Sequence, residues 1–153
     1  MSTARDFVLG VMKKYGKKLA EELQEKASEM TGTELYKEKV FIPSFASACG
    51  KKNMLERPIG FVCQSSAGRV VKLLQHYDSN IYTQEPEELP AQWGFVWSND
   101  PDYALDFVAI STSPYMKGNC CLENGEAYCS IIDNNVWRPS EYPQGWEWVE
   151  KTK

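Results

Sequence analysis

One seven-residue pattern, Pro-x-x-Trp-x-aromatic-Val, closes two separate stretches of this chain: Pro90-Ala91-Gln92-Trp93-Gly94-Phe95-Val96 and Pro143-Gln144-Gly145-Trp146-Glu147-Trp148-Val149. Upstream, the two stretches run in parallel. Gly60 leads through a short apolar run to a turn at Gly68 and then to Val71. Gly118 leads through CCLENG to a turn at Gly125 and then to Tyr128. Internal self-similarity of this kind constrains a fold more than any local propensity, because each copy has to adopt the same small unit. The turns contain Gly or Asn-Gly, residues that accept positive φ, so each unit reads as a hairpin followed by a proline-studded loop and a last strand. Pro86, Pro90, Pro139 and Pro143 preset φ and reduce the entropy lost when those loops order. A unit of about 40 residues has a small core, so large aromatics must supply much of its buried area.

The rest of the second half fits this reading. From Arg57 onward, short β-like runs alternate with Gly, Pro and Asn: GFVCQ, RVVKLLQHY, WGFVW, DFVAIS, NCCLE, AYCSII and WEWVE. Before them, Val8, Met12, Tyr15, Leu19, Leu23, Ala27 and Met30 have the three-and-four spacing of one helical face, which predicts a helix from Ala4 to about Met30. Ser2 or Thr3 is placed to cap its start. Gly10 and Gly16 each cost it about 1 kcal/mol relative to Ala, so packing has to hold it. Either the body of the chain or sister copies in a short bundle can cover its stripe. Gly32 in MTGTEL breaks the helix, LYKEKVFIPSF reads as a turn or extended stretch, and FASACGKKNM is either a short helix or irregular. The expected organisation is an N-terminal amphipathic helix over 1–31, a linker over 32–56, a degenerate repeat over 57–98 and a better-kept repeat over 99–153. The fold class is α+β, mainly β, with two small antiparallel units.

Composition narrows the function classes. The formal net charge is −4, and Lys13, Lys14, Lys17 and Lys18 lie beside Glu21, Glu22 and Glu25 in the expected helix. That pattern is a solvated helix face rather than the basic stripe that grips nucleic acid. The N-terminal residues lack the order of a signal peptide and no segment has the ~20 apolar residues of a membrane span, so neither export nor a membrane partner is expected. Five cysteines and a single histidine, without CxxC spacing, indicate neither a disulfide framework nor a zinc site. Cys63 and His76 are the one cysteine–histidine pair within a repeat. Both fall in strand-like runs with no catalytic signature around them, so the expectation is a non-enzyme without cofactor or metal.

The second repeat resembles the small chitin-binding type of carbohydrate-binding module found on bacterial chitinases. The resemblance rests on Tyr115, Gly118, Asn124, Gly125, Tyr128, Trp137, Pro139, Pro143 and Trp146. The first repeat keeps Gly60, Gly68, Pro90 and Trp93 but has Val71 in place of the tyrosine. Cys120 and Cys121 also depart from the family, standing in a strand that is usually aliphatic or polar. The whole arrangement is similar to small tail-associated proteins of bacteriophages and prophages of Gram-positive hosts. That resemblance implies a homo-oligomer, with a trimer favoured, and other phage tail proteins as partners. It also implies assembly in the host cytoplasm and a final place in the virion tail. The chitin-binding resemblance gives Trp146 the role of principal sugar-stacking residue.

Sugar C–H groups pack on aromatic faces while hydroxyls bond to nearby polar side chains. Trp137, Tyr142, Trp146 and Trp148, with Asn135 and Glu141 and the neighbouring Asp133 and Asn134, are the residues here that meet this requirement. Strand alternation puts Trp146 and Trp148 on one face, either as core or as an open platform. The competing class is a protein-interaction module that uses the same aromatic surface on a protein ligand, because Trp and Tyr dominate protein hot spots as well.

Overall fold

The structure, a computed structural model, describes the backbone of residues 4–152 and the side chains from residue 14 onward. It is an α+β fold, mainly β, built from a leading helix and two three-stranded antiparallel sheets. Helix α1 spans Ala4–Lys26 and runs into a 3₁₀ turn over Ala27–Glu29. The Ser2 or Thr3 cap and the side chains of Val8 and Met12 lie outside the described residues. Among the described residues of the expected stripe, Leu23 and Ala27 are buried by the body, whereas Tyr15 is 64% exposed.

The expected linker over 32–56 is folded. Thr31 and Glu34 form a reciprocal capping box that starts α2, Gly32–Lys37, so Gly32 opens a helix, and the preceding helical stretch has already stopped at Glu29. A Cβ on Gly32 would lie 2.1 Å from the Trp97 carbonyl oxygen, which makes this glycine the point where α2 docks on the β region. After a 3₁₀ turn at Lys39–Phe41, Ser44 caps α3, Phe45–Lys51. Helices of six and seven residues are too short to leave a periodic signature, so the sequence pattern could not separate them from loop.

Sheet one contains β1 (Val62–Gln64), β2 (Val70–Leu73) and β3 (Trp93–Phe95), and sheet two contains β4 (Cys120–Glu123), β5 (Glu126–Ser130) and β6 (Trp146–Val149). Backbone hydrogen bonds establish the repeat residue by residue. Gly60 N–H donates to Leu73 O and Gly118 N–H to Ser130 O, each at 2.8 Å. Leu74 N–H donates to Gln92 O (2.7 Å) and Ile131 N–H to Gly145 O (2.9 Å). Val71 pairs with Cys63 and Phe95, as Tyr128 does with Cys121 and Trp148. The correspondence also reaches upstream of the expected boundary. Gln64 N–H bonds Pro43 O (2.9 Å) and Leu122 N–H bonds Leu105 O (2.8 Å), each beside a parallel bridge, Ser44 with Gln64 and Asp106 with Leu122. The first repeat therefore begins near Pro43, inside the segment expected to be linker. The segment DFVAIS, expected as a strand, contributes only the bridge at Asp106 and otherwise runs as loop.

Asn124 (φ 53°) and Gly125 (φ 80°) both take positive φ, giving the tight two-residue turn between β4 and β5. Its register sets Cys120 opposite Cys129, and the two are joined by a disulfide. This corrects the expectation drawn from cysteine count and spacing, which ignored the hairpin register. One core crosses both repeats. Phe95 stacks on Trp97, Trp97 on Tyr115 at 4.2 Å between ring centroids, and Tyr115 on Phe107. Trp146 meets both Phe107 and Tyr115 edge-on. A second cluster under α1 and α2 gathers Leu23, Ala27, Leu35, Tyr36, Ile42, Val62 and Val70. Among the described residues no helix is long and apolar enough to cross a membrane.

Candidate functional site

The loop between β5 and β6 contains the exposed aromatics of the second repeat, and Asn135 fixes its start. Asn135 is fully buried, and its backbone exchanges hydrogen bonds with Tyr115 (2.9 and 2.8 Å). Its side-chain NH₂ donates to Ser130 Oγ (3.0 Å) and Gly145 O (3.1 Å), while its Oδ1 accepts from Trp137 N–H (3.3 Å). Every polar group of that amide is engaged inside the protein. Asn135 thus holds the loop and is not a sugar contact, which corrects its place among the expected ligand-binding residues.

Trp146 is corrected in the same way. It is 6% exposed, its ring is closed in by Phe107 and Tyr115, and its Nε1–H donates to the Trp137 carbonyl at 2.8 Å. Its counterpart in the first repeat does the same work. Trp93 is fully buried, meets Phe45 and Tyr77 edge-on, and donates its Nε1–H to Tyr77 Oη at 3.0 Å. The tryptophan shared by both repeats is the core residue of each unit, with no face open for stacking.

The open rings are Trp137 (46% exposed), Tyr142 (36%) and Trp148 (55%). Trp137 and Tyr142 sit together, with centroids 5.3 Å apart and planes tilted by 51°. Gly145 makes room for the tyrosine, because a Cβ there would come within 2.8 Å of Tyr142 Cδ2. The loop between them is tied down from two sides. Arg138 Nε pairs with Glu141 (2.9 Å), and Glu123 at the end of β4 accepts from Ser140 N–H (3.0 Å) and Ser140 Oγ (3.1 Å). A cleft of about 380 Å³ lies alongside, lined by Asp106, Phe107, Glu123, Asn124 and Arg138 among others. Trp148 stands apart from this pair, its Nε1–H bound to Glu126 at 2.9 Å. The matching ring of the first repeat, Phe95, is buried under Trp97 and the second repeat, whereas Glu150 follows Trp148 at the position equivalent to Trp97.

The two groups weighed for nucleophilic chemistry are placed differently. Cys63 is fully buried, and desolvation pushes its thiol far above the ordinary range, which disfavours the thiolate a nucleophile needs. His76 is exposed, and its Nε2 lies 2.7 Å from the Arg57 carbonyl. Compared with protein-family models, curated proteins and solved structures, the chain matches none.

Proposed function

We propose that this chain is a non-catalytic recognition protein of a bacteriophage or prophage tail, whose second repeat holds host cell-surface polysaccharide on the Trp137–Tyr142 platform. The observation that carries the reading is an exposed aromatic pair on a loop locked from both sides. Such a pair resists collapse onto the body and loses little freedom when a ligand arrives. The first repeat has no equivalent, since the half-buried Leu89 occupies the place of Tyr142. Arg138 and Glu141 beside the rings, and the cleft next to them, offer donors and acceptors to hydroxyls. The chitin-binding resemblance supplies the ligand class, and the tail-protein resemblance supplies the setting.

A second reading is favoured by Trp148. It occupies the position through which the first repeat packs onto the second, so the same exposed face of the second repeat suits a protein partner, such as another tail component. A depletion assay on insoluble chitin and on Gram-positive cell walls separates the two. The sugar reading expects wild type to be retained and Trp137→Ala or Tyr142→Ala to bind at least about tenfold more weakly, equivalent to about 1.4 kcal/mol, while remaining folded by circular dichroism. Absence of wild-type retention on both matrices, or equal retention of the folded variants, would overturn it.

A further inference from the structure

The five tryptophans of this chain divide by what their indole N–H does. Trp93 donates to Tyr77 Oη (3.0 Å), Trp97 to Ser113 O (3.0 Å), Trp146 to Trp137 O (2.8 Å) and Trp148 to Glu126 Oε2 (2.9 Å). Trp137 is the exception. Among the described residues nothing accepts from its Nε1–H, although its backbone N–H and carbonyl are both bound. The phenol of Tyr142 beside it has no partner among those residues either. An indole N–H or a phenol O–H inside a protein finds a partner, so one left over on a fixed, exposed ring is open to water or to a ligand. Two of them on neighbouring rings give this site polar ends as well as apolar faces.

The angle between the rings limits what shape they can hold. A crystalline polysaccharide presents a flat sheet of C–H groups, and its hydroxyls are bonded sideways to neighbouring chains. Rings that stack together on such a sheet have to be coplanar. Trp137 and Tyr142 are tilted by 51° with centroids 5.3 Å apart, so one flat face cannot stack on both. A single chain can, because consecutive sugar units turn about the glycosidic bond. The loop between the rings agrees. Arg138 and Glu141 are ion-paired there at 2.9 Å and both open to water. Against a crystal face they would lose that water and gain no partner, which costs free energy. A chain with free hydroxyls replaces the water bond for bond and leaves its other side wet.

On the footing that the platform holds polysaccharide, we propose that its ligand is a single hydrated glycan chain and not a crystalline face. Trp137 Nε1–H and Tyr142 Oη hydrogen-bond to the hydroxyl or acetamido oxygens of that chain. Depletion of the whole protein by equal accessible areas of regenerated amorphous chitin, crystalline chitin and Gram-positive cell walls tests this. The expected result is binding to amorphous chitin about tenfold or more tighter than to crystalline chitin, and release by a soluble N-acetylglucosamine tetramer. Tyr142→Phe keeps the ring and drops the hydroxyl, so it should weaken retention about three- to tenfold. Its melting temperature should match wild type, because that hydroxyl bonds nothing in the protein. Retention on crystalline chitin equal to or above that on amorphous chitin, or a Tyr142→Phe variant that binds as wild type does, would overturn the proposal. If a folded Trp137→Ala still loses retention in that case, the platform itself stands. Absence of wild-type retention on all three matrices removes both.

Discussion

At the scale of single residues, the buried polar groups decide what can be changed. Tyr36 Oη donates to Val96 O (2.7 Å) and accepts from Val70 N–H (3.1 Å), closing a gap between α2 and the first sheet. Removing it with Tyr36→Phe strands both backbone groups in the core and should cost about 1 to 3 kcal/mol in chemical denaturation. Burial raises the Tyr36 phenol to about 12 from its ordinary 10, and the Tyr77 phenol also to about 12. The native state therefore keeps these protons after the unfolded chain has begun to release them. Their contribution is complete below pH 10 and is lost as pH rises through 12. Melting temperature measured against pH should fall steeply above pH 10, and less steeply in Tyr36→Phe. Trp146→Ala should cost about 3 to 5 kcal/mol, the range for a large aromatic removed from a core. The sequence placed Trp146 and Trp148 correctly on one strand face. It could not show that the face is covered at one end and open at the other, because the cover is Phe107 and Tyr115, distant in the chain.

At the scale of elements, the hairpin turns were the most legible part of the fold. Asn124-Gly125 demands a two-residue turn, and counting outward from it pairs Glu123 with Glu126 and reaches Cys120 opposite Cys129. The disulfide was thus readable from register, though not from cysteine spacing. It closes a short loop whose entropy in the unfolded chain is worth about 2 to 3 kcal/mol. Replacing both cysteines with serine should lower stability by that amount, and a reducing agent should lower wild type equally and leave the variant unmoved. The attachment of α1 could not be read in this way. The Gln24 side chain donates to Val62 O (2.7 Å) and accepts from Val62 N–H (2.9 Å), pairing with the edge of β1 as a strand would. In the second repeat the matching amide, on Cys120, is bound instead by the Ser98 carbonyl (2.8 Å). No local pattern distinguishes Gln24 from the other polar residues on the helix. Gln24→Ala should raise amide hydrogen exchange at Val62 and in the last turns of α1, while β4 to β6 stay protected.

At the scale of the whole molecule, the two repeats are one cooperative body. The ring series from Phe95 through Trp97 and Tyr115 to Phe107 crosses between them, and Trp97 Nε1–H is bound to Ser113 O at 3.0 Å. Duplication was visible in the sequence because its glycines, prolines and tryptophans serve local geometry. The shared core was not, since it depends on how one repeat seats on the other. That seating also accounts for the difference in exposure between matching rings, with Phe95 of the first repeat covered and Trp148 of the second left open. The most direct test uses the five tryptophan indole N–H signals in a ¹⁵N-correlated NMR spectrum, titrated with an N-acetylglucosamine tetramer. The account predicts that the Trp137 signal moves most, while those of Trp93, Trp97 and Trp146 stay in place. Shifts centred on Trp146, or no shift at any of the five at saturating sugar, would contradict it.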